Sequence, residues 1–135
     1  MKIVVGFKGT PEGKAALEWA IQEAERHGGE LFLVHSLRGG TDAKTETEQV
    51  WQAREELAEA EQRLIEAGVP YTVRKYMRGK SPAEDLNDVV AKEGAELIVI
   101  GLRRRSRTGK LLLGSNAQEI LLDADCPVVA VKANE

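Results

Sequence analysis

The sequence predicts one doubly wound α/β domain, a five-stranded parallel sheet with helices on both faces. Three observations lead there. Five short apolar runs of strand length alternate with four segments whose apolar residues recur at helical spacing. The helical segments carry start and stop signals, with capping residues and prolines before them and glycines after most of them. The chain of 135 residues is long enough for one sizeable core and shows no repeat, low-complexity segment or internal boundary, so residues 1–135 form one domain. A strand–helix–strand alternation with right-handed crossovers makes neighbouring strands parallel.

The first run, "KIVVGF" (Lys2–Phe7), is β-branched and apolar, like a strand covered on both faces. Thr10 and Pro11 then supply a cap and a first-turn proline. Leu17, Ala20, Ile21 and Ala24 form a helical stripe, ended by Gly28-Gly29. "ELFLVHS" (Glu30–Ser36) is the second strand, followed by a polar, glycine-containing connection. A long helix is expected from Thr45 to Ala67 with a seam of Val50, Ala53, Leu57, Ala60 and Leu64, its charged faces solvated. "YTVRKYM" (Tyr71–Met77) alternates as an edge strand does. Ser81-Pro82-Ala83-Glu84 has capping-box spacing and opens a helix reaching Gly94. "ELIVIG" is the fourth strand. Ser115 is the expected cap of a short helix carrying Ala117, Ile120, Leu121 and Ala124, and "CPVVAVK" (Cys126–Lys132) is the last strand.

Composition narrows the function. The net charge of −3 and the 4% aromatic content argue against nucleic acid, which calls for a basic face and stacking side chains. No apolar run is long enough to span a membrane and no leader is evident, so a cytoplasmic protein without membrane insertion is expected. The single cysteine, Cys126, excludes an intrachain disulfide and reads as a small hydrophobe. His27 at a helix end, and Trp19 and Trp51 on helices, read as structural or interface residues.

Against this acidic background stands "GLRRRSRTGKLLLGS", with Arg103, Arg104, Arg105, Arg107 and Lys110 within eight residues. It runs from a strand into a helix start, where free amides and the helix dipole suit an anion. Gly114 permits close backbone approach, Ser115 can donate, and the cations add charge-assisted bonds. No Ser or Thr follows Lys110, so it is not a P-loop. In a doubly wound sheet, ligands bind beyond the strand ends where strand order reverses. That makes "KGTPEG" (Lys8–Gly13) the second candidate wall, if the first and fourth strands are neighbours.

The whole chain resembles the universal stress protein family. The residues that carry the likeness are "IVVGFKGTPEGKAALEWA", "LFLVHS", "RGKSPAEDL" and the C-terminal block from Glu96 to Lys132. The family's signature is Gly, two residues, Gly, nine residues, Gly and Ser or Thr. Gly101, Gly114 and Ser115 fall at its first, third and fourth positions. The resemblance implies the strand order 3-2-1-4-5 and a homodimer through the last strand (Pro127–Lys132). It also implies a site for ATP or AMP between the first and fourth strand loops, with no metal specified. The phosphates would meet Gly101, Leu102, Arg103, Arg104, Gly114, Ser115 and Asn116. The adenosine would lie near Lys8, Gly9, Thr10, Val34 and His35.

Two residues depart from the pattern. Arg104 replaces the signature's second glycine, and Lys8 stands where nucleotide-binding members usually carry an acid. An ammonium donates hydrogen bonds and cannot accept them. The site is therefore expected to bind ATP more weakly or to prefer another phosphate-bearing anion, and a dimeric scaffold or transporter-regulating module without a ligand is the alternative reading. No nucleophile–base pair or zinc spacing is evident, so catalysis is not indicated beyond slow ATP hydrolysis.

Overall fold

The computed structural model describes residues 1–37, 42–77, 80–103 and 113–133. Strands β1 (Lys2–Gly6), β2 (Glu30–Leu37), β3 (Tyr71–Met77), β4 (Leu97–Leu102) and β5 (Val128–Lys132) alternate with four helices. These are α1 (Pro11–His27), α2 (Ala43–Ala67), α3 (Pro82–Glu93) and α4 (Ser115–Asp123). Every strand pair is parallel and the spatial order is β3-β2-β1-β4-β5, as expected. The chain starts mid-sheet, builds outward to β3, then returns to lay β4 on the other side of β1. Strand order thus reverses between β1 and β4, and the connections leaving these two strands diverge to opposite faces.

The period of two along each strand sorts the core into two layers. Ile3, Val5, Phe7, Leu31, Leu33, Leu97 and Val99 face α1 and α2. Val4, Phe32, Val34, Ile98 and Ile100 face α3 and α4. The helices answer with their own stripes: Leu17, Ala20, Ile21 and Ala24 from α1, Leu57, Ala60 and Leu64 from α2, and Leu86, Val89 and Val90 from α3. Burying a residue such as Ile21 or Leu33 contributes about 1.5–3 kcal/mol, so these layers hold the strand ends in place.

Local signals set most helix boundaries. Thr10 Oγ1 accepts from the Gly13 amide (3.2 Å), and Gly28 at φ 64° ends α1 in the left-handed conformation that glycine adopts without penalty. Asp42 accepts from the Thr45 amide (2.7 Å), so α2 starts at Ala43 rather than at Thr45. Its seam is Ala53, Leu57, Ala60 and Leu64; Val50, expected to be buried, lies at the surface beside Trp51. Arg54 stacks its guanidinium on the Trp51 ring, 5.3 Å from the centroid, which keeps that ring on the outside.

The start of α4 differs from expectation. The first intrahelical bond runs from the Gln118 amide to the Gly114 carbonyl (3.0 Å). Gly114 is therefore the cap and Ser115 is the first helical residue. Leu121 points to solvent while Ile120 is buried. Cys126 precedes β5 rather than opening it; it packs half-buried on the core, and burial, helped by Asp125, pushes its thiol pKa up. Such a thiol is protonated and unreactive.

Candidate functional site

Beyond the carboxyl ends of β1 and β4 lies a crevice of about 560 Å³. One wall is the turn after β1 and the first turn of α1, with Lys8, Thr10, Glu12 and Gly13. Facing it are Gly101, Leu102 and Arg103 at the end of β4 and Gly114, Ser115 and Asn116 at the start of α4. The floor is apolar, formed by Val34, Leu86, Ile100 and Ile120. This combination of an apolar floor and a few converging polar groups is typical of small-molecule sites.

Two glycines allow the walls to stand this close. A Cβ on Gly101 would overlap the backbone carbonyl of Glu12, and one on Gly13 would overlap the carbonyl of Lys8. Gly101 thus seats the first turn of α1 on the end of β4. The family resemblance assigned it a phosphate contact; close packing is the reason for glycine that the fold displays.

The α4 terminus differs from the other helix starts. The first-turn amides of an α-helix have no partner within the helix. Thr10, Asp42 and Ser81 cap the other three helices through their side chains. Each of those helices also has an acid in its first turn. Among the described residues, α4 has neither a side-chain cap bond nor a first-turn acid. Its amides and dipole face the crevice uncompensated, with Arg103 and Lys8 exposed nearby. Arg104, Arg105, Arg107 and Lys110 lie outside the described residues.

The structure does not bring all the expected residues together. Lys8, Thr10, Val34, Gly101, Leu102, Arg103, Gly114, Ser115 and Asn116 share the crevice. Gly9 and His35 instead meet α2. Successive strand residues point to opposite faces, so with Val34 toward the crevice His35 must turn away. His35 is buried, with Nε2 3.7 Å from Glu56 Oε2. The same carboxylate oxygen accepts from the Gly9 amide (3.2 Å), in the space that a Cβ on Gly9 would fill.

Glu56 and Ser36 are the residues that sequence reasoning missed. Glu56 was grouped with the solvated face of its helix. It lies three residues after Ala53 and four before Ala60, which places it at the edge of the buried seam. Ser36 follows from the same alternation as Val34, and it lines the crevice.

Burial lowers the His35 pKa; Lys8 and Lys75 push in the same direction, and Glu56 opposes them without reversing the shift. The folded protein therefore holds a neutral imidazole, while the unfolded chain takes a proton near the ordinary value of 6.5. Protons favour the unfolded state in the window below that value. Stability is expected to fall as pH drops through 6.5, and His35→Gln to flatten that slope. Urea unfolding midpoints of both proteins between neutrality and mild acid will measure it.

Among the described residues, no cluster of His, Cys, Asp or Glu is arranged to hold a metal, and no helix is long and apolar enough to cross a membrane. Fold and site together define a doubly wound domain with a crevice at its topological switch point. The family model described as the universal stress protein family matches residues 1–132, and the chain belongs to that family. A universal stress protein of Mycolicibacterium smegmatis is 39% identical over 130 residues, covering 96% of each chain. A universal stress protein structure from Archaeoglobus fulgidus superposes with a TM-score of 0.82 at 35% identity, covering 97% of each chain. Another from the same organism, solved in complex with dAMP, gives 0.74 at 30% identity, covering 97% of this chain and 96% of that one.

Proposed function

We propose that this protein binds an adenine nucleotide, AMP or ATP, in the crevice between the β1 and β4 loops and acts as a regulatory stress-response domain. The observation that carries this reading is the uncapped N-terminus of α4, opening onto that crevice beside Arg103 and Lys8. The phosphate sits on the Ser115 and Asn116 amides, and the nucleoside lies on the apolar floor. The dAMP complex of a relative at 30% identity supports the same ligand class. The acting form is a homodimer joined through β5. That strand has one neighbour in the sheet, and its valines are only half-buried, so pairing with a second copy would complete both edges.

A second reading has its own observation. Lys8 offers the nucleoside no acceptor, which fits a scaffold that works without a ligand. Thermal unfolding with AMP, ATP and inorganic phosphate separates the two. A ligand at a hundred times its dissociation constant stabilises the native state by about 2.7 kcal/mol, a shift of several degrees. The nucleotide reading predicts that shift for AMP or ATP. A flat panel at millimolar ligand leaves the scaffold.

A further inference from the structure

The apolar floor of the crevice carries one polar side chain that is already hydrogen-bonded. Val34, Pro82, Leu86 and Ile100 belong to that floor, and Ser36 lines it with them at the end of β2. The Ser36 hydroxyl donates its single proton to Asp85 Oδ2 at 2.7 Å. Asp85, in the first turn of α3, is only 2% exposed, and among the described residues its Oδ1 has no hydrogen-bond partner. Among the described residues it is the one buried acid in the layer under α3, and solvent cannot substitute for Ser36 there.

A serine hydroxyl has one proton and two lone pairs. Burial pushes the Asp85 pKa up, and the Ser36 bond and Lys80 pull against that shift; while Asp85 is ionised it holds the serine proton, and the lone pairs are what Ser36 has left to offer the crevice. A ligand group that donates can bond there, while a carbonyl oxygen meets another oxygen. On the wall formed by the turn after β1, Lys8 only donates, and Thr10 already accepts from the Gly13 amide. Glu12 also lines the crevice, with its backbone packed on Gly101 at the β4 end.

We propose that Ser36 is a specificity-determining residue for the nucleoside end of the ligand, and that Asp85 is the positioning residue that fixes Ser36 as an acceptor. The proposal rests on the nucleotide reading and refines it. The group selected is a hydrogen-bond donor, which adenosine carries in two places: the exocyclic base amine and the sugar hydroxyls. Adenine suits the first, because its six-position bears an amine where hypoxanthine bears an oxygen.

The test is calorimetric titration of the intact protein with AMP, inosine monophosphate and the 2′- and 3′-deoxy forms of AMP. If the amine is the donor, AMP binds at least tenfold tighter than inosine monophosphate. If a sugar hydroxyl is the donor, the corresponding deoxy form is the weaker one by a similar factor. In either case Ser36→Ala is expected to collapse that ratio toward one by weakening AMP, and Ser36→Thr, which keeps the hydroxyl, to preserve it. Asp85→Asn is expected to narrow the ratio, because an amide can donate to Ser36 as well as accept from it and so releases the serine proton. A residue that only supports the fold would change all affinities together and leave the ratios alone.

If AMP binds but both ratios are unchanged in Ser36→Ala and Asp85→Asn, this assignment is overturned while the nucleotide reading stands. If neither AMP nor any analogue binds the unmodified protein, the nucleotide reading fails, and the assignment fails with it.

Discussion

Gly101→Ala is expected to destabilise the protein by about 3 kcal/mol, lowering its melting temperature by on the order of 10 °C. The added methyl would overlap the Glu12 carbonyl, a backbone atom in the first turn of α1. A side chain could rotate away; a helix backbone can only move as a body. To make room, α1 must lift off β4, and its stripe of Leu17, Ala20 and Ile21 must leave the layer it shares with Val5 and Val99. The damage also reaches the crevice, since Glu12 and Gly101 are part of its wall. Thermal unfolding followed by circular dichroism measures the effect. Gly114→Ala is the contrast: a Cβ there meets nothing within 4 Å among the described residues, so the expected cost is a weaker helix cap, about 1 kcal/mol.

Ser115→Asp is expected to move stability and binding in opposite directions. Position 115 is the first residue of α4, whose first turn has no acid and whose cap has no side-chain bond. A carboxylate there complements the helix dipole and adds about 0.3–1 kcal/mol of stability. The same charge occupies the place proposed for the phosphate and repels it. A loss of AMP affinity of at least tenfold, about 1.4 kcal/mol, is expected. Lost affinity in a protein that melts higher cannot come from misfolding. Paired melting and titration experiments on the one variant read both effects. If AMP affinity is unchanged, the phosphate does not sit at this terminus.

The element order was legible because this chain marks its boundaries. Thr10-Pro11, Ser81-Pro82 and the glycines at 28, 68 and 94 all sit where local physics places them. Strand adjacency was not legible from the residues. Nothing in "KIVVGF" says that its neighbours are β2 and β4; that came from the family resemblance. The site was legible as far as its loops, and less so at the level of side chains. Val34 and His35 were placed together by proximity in sequence, yet the period of two sends them to opposite layers. Glu56 reaches Gly9 across 47 positions of sequence, a contact that only the packing of α2 on the sheet creates. The choice of Gly114 over Ser115 as cap depends on one backbone bond, and both residues are acceptable in that role.

The central claim is that a nucleotide phosphate binds the N-terminus of α4 inside the switch-point crevice. Amide-resolved NMR of the isotope-labelled protein, titrated with AMP, tests it most directly. Saturable shifts of the Ser115, Asn116 and Gly101 amides are expected, with little change at Leu57 and Leu64 on the far layer. No shift at millimolar AMP, or shifts that leave Ser115 and Asn116 untouched, would contradict it.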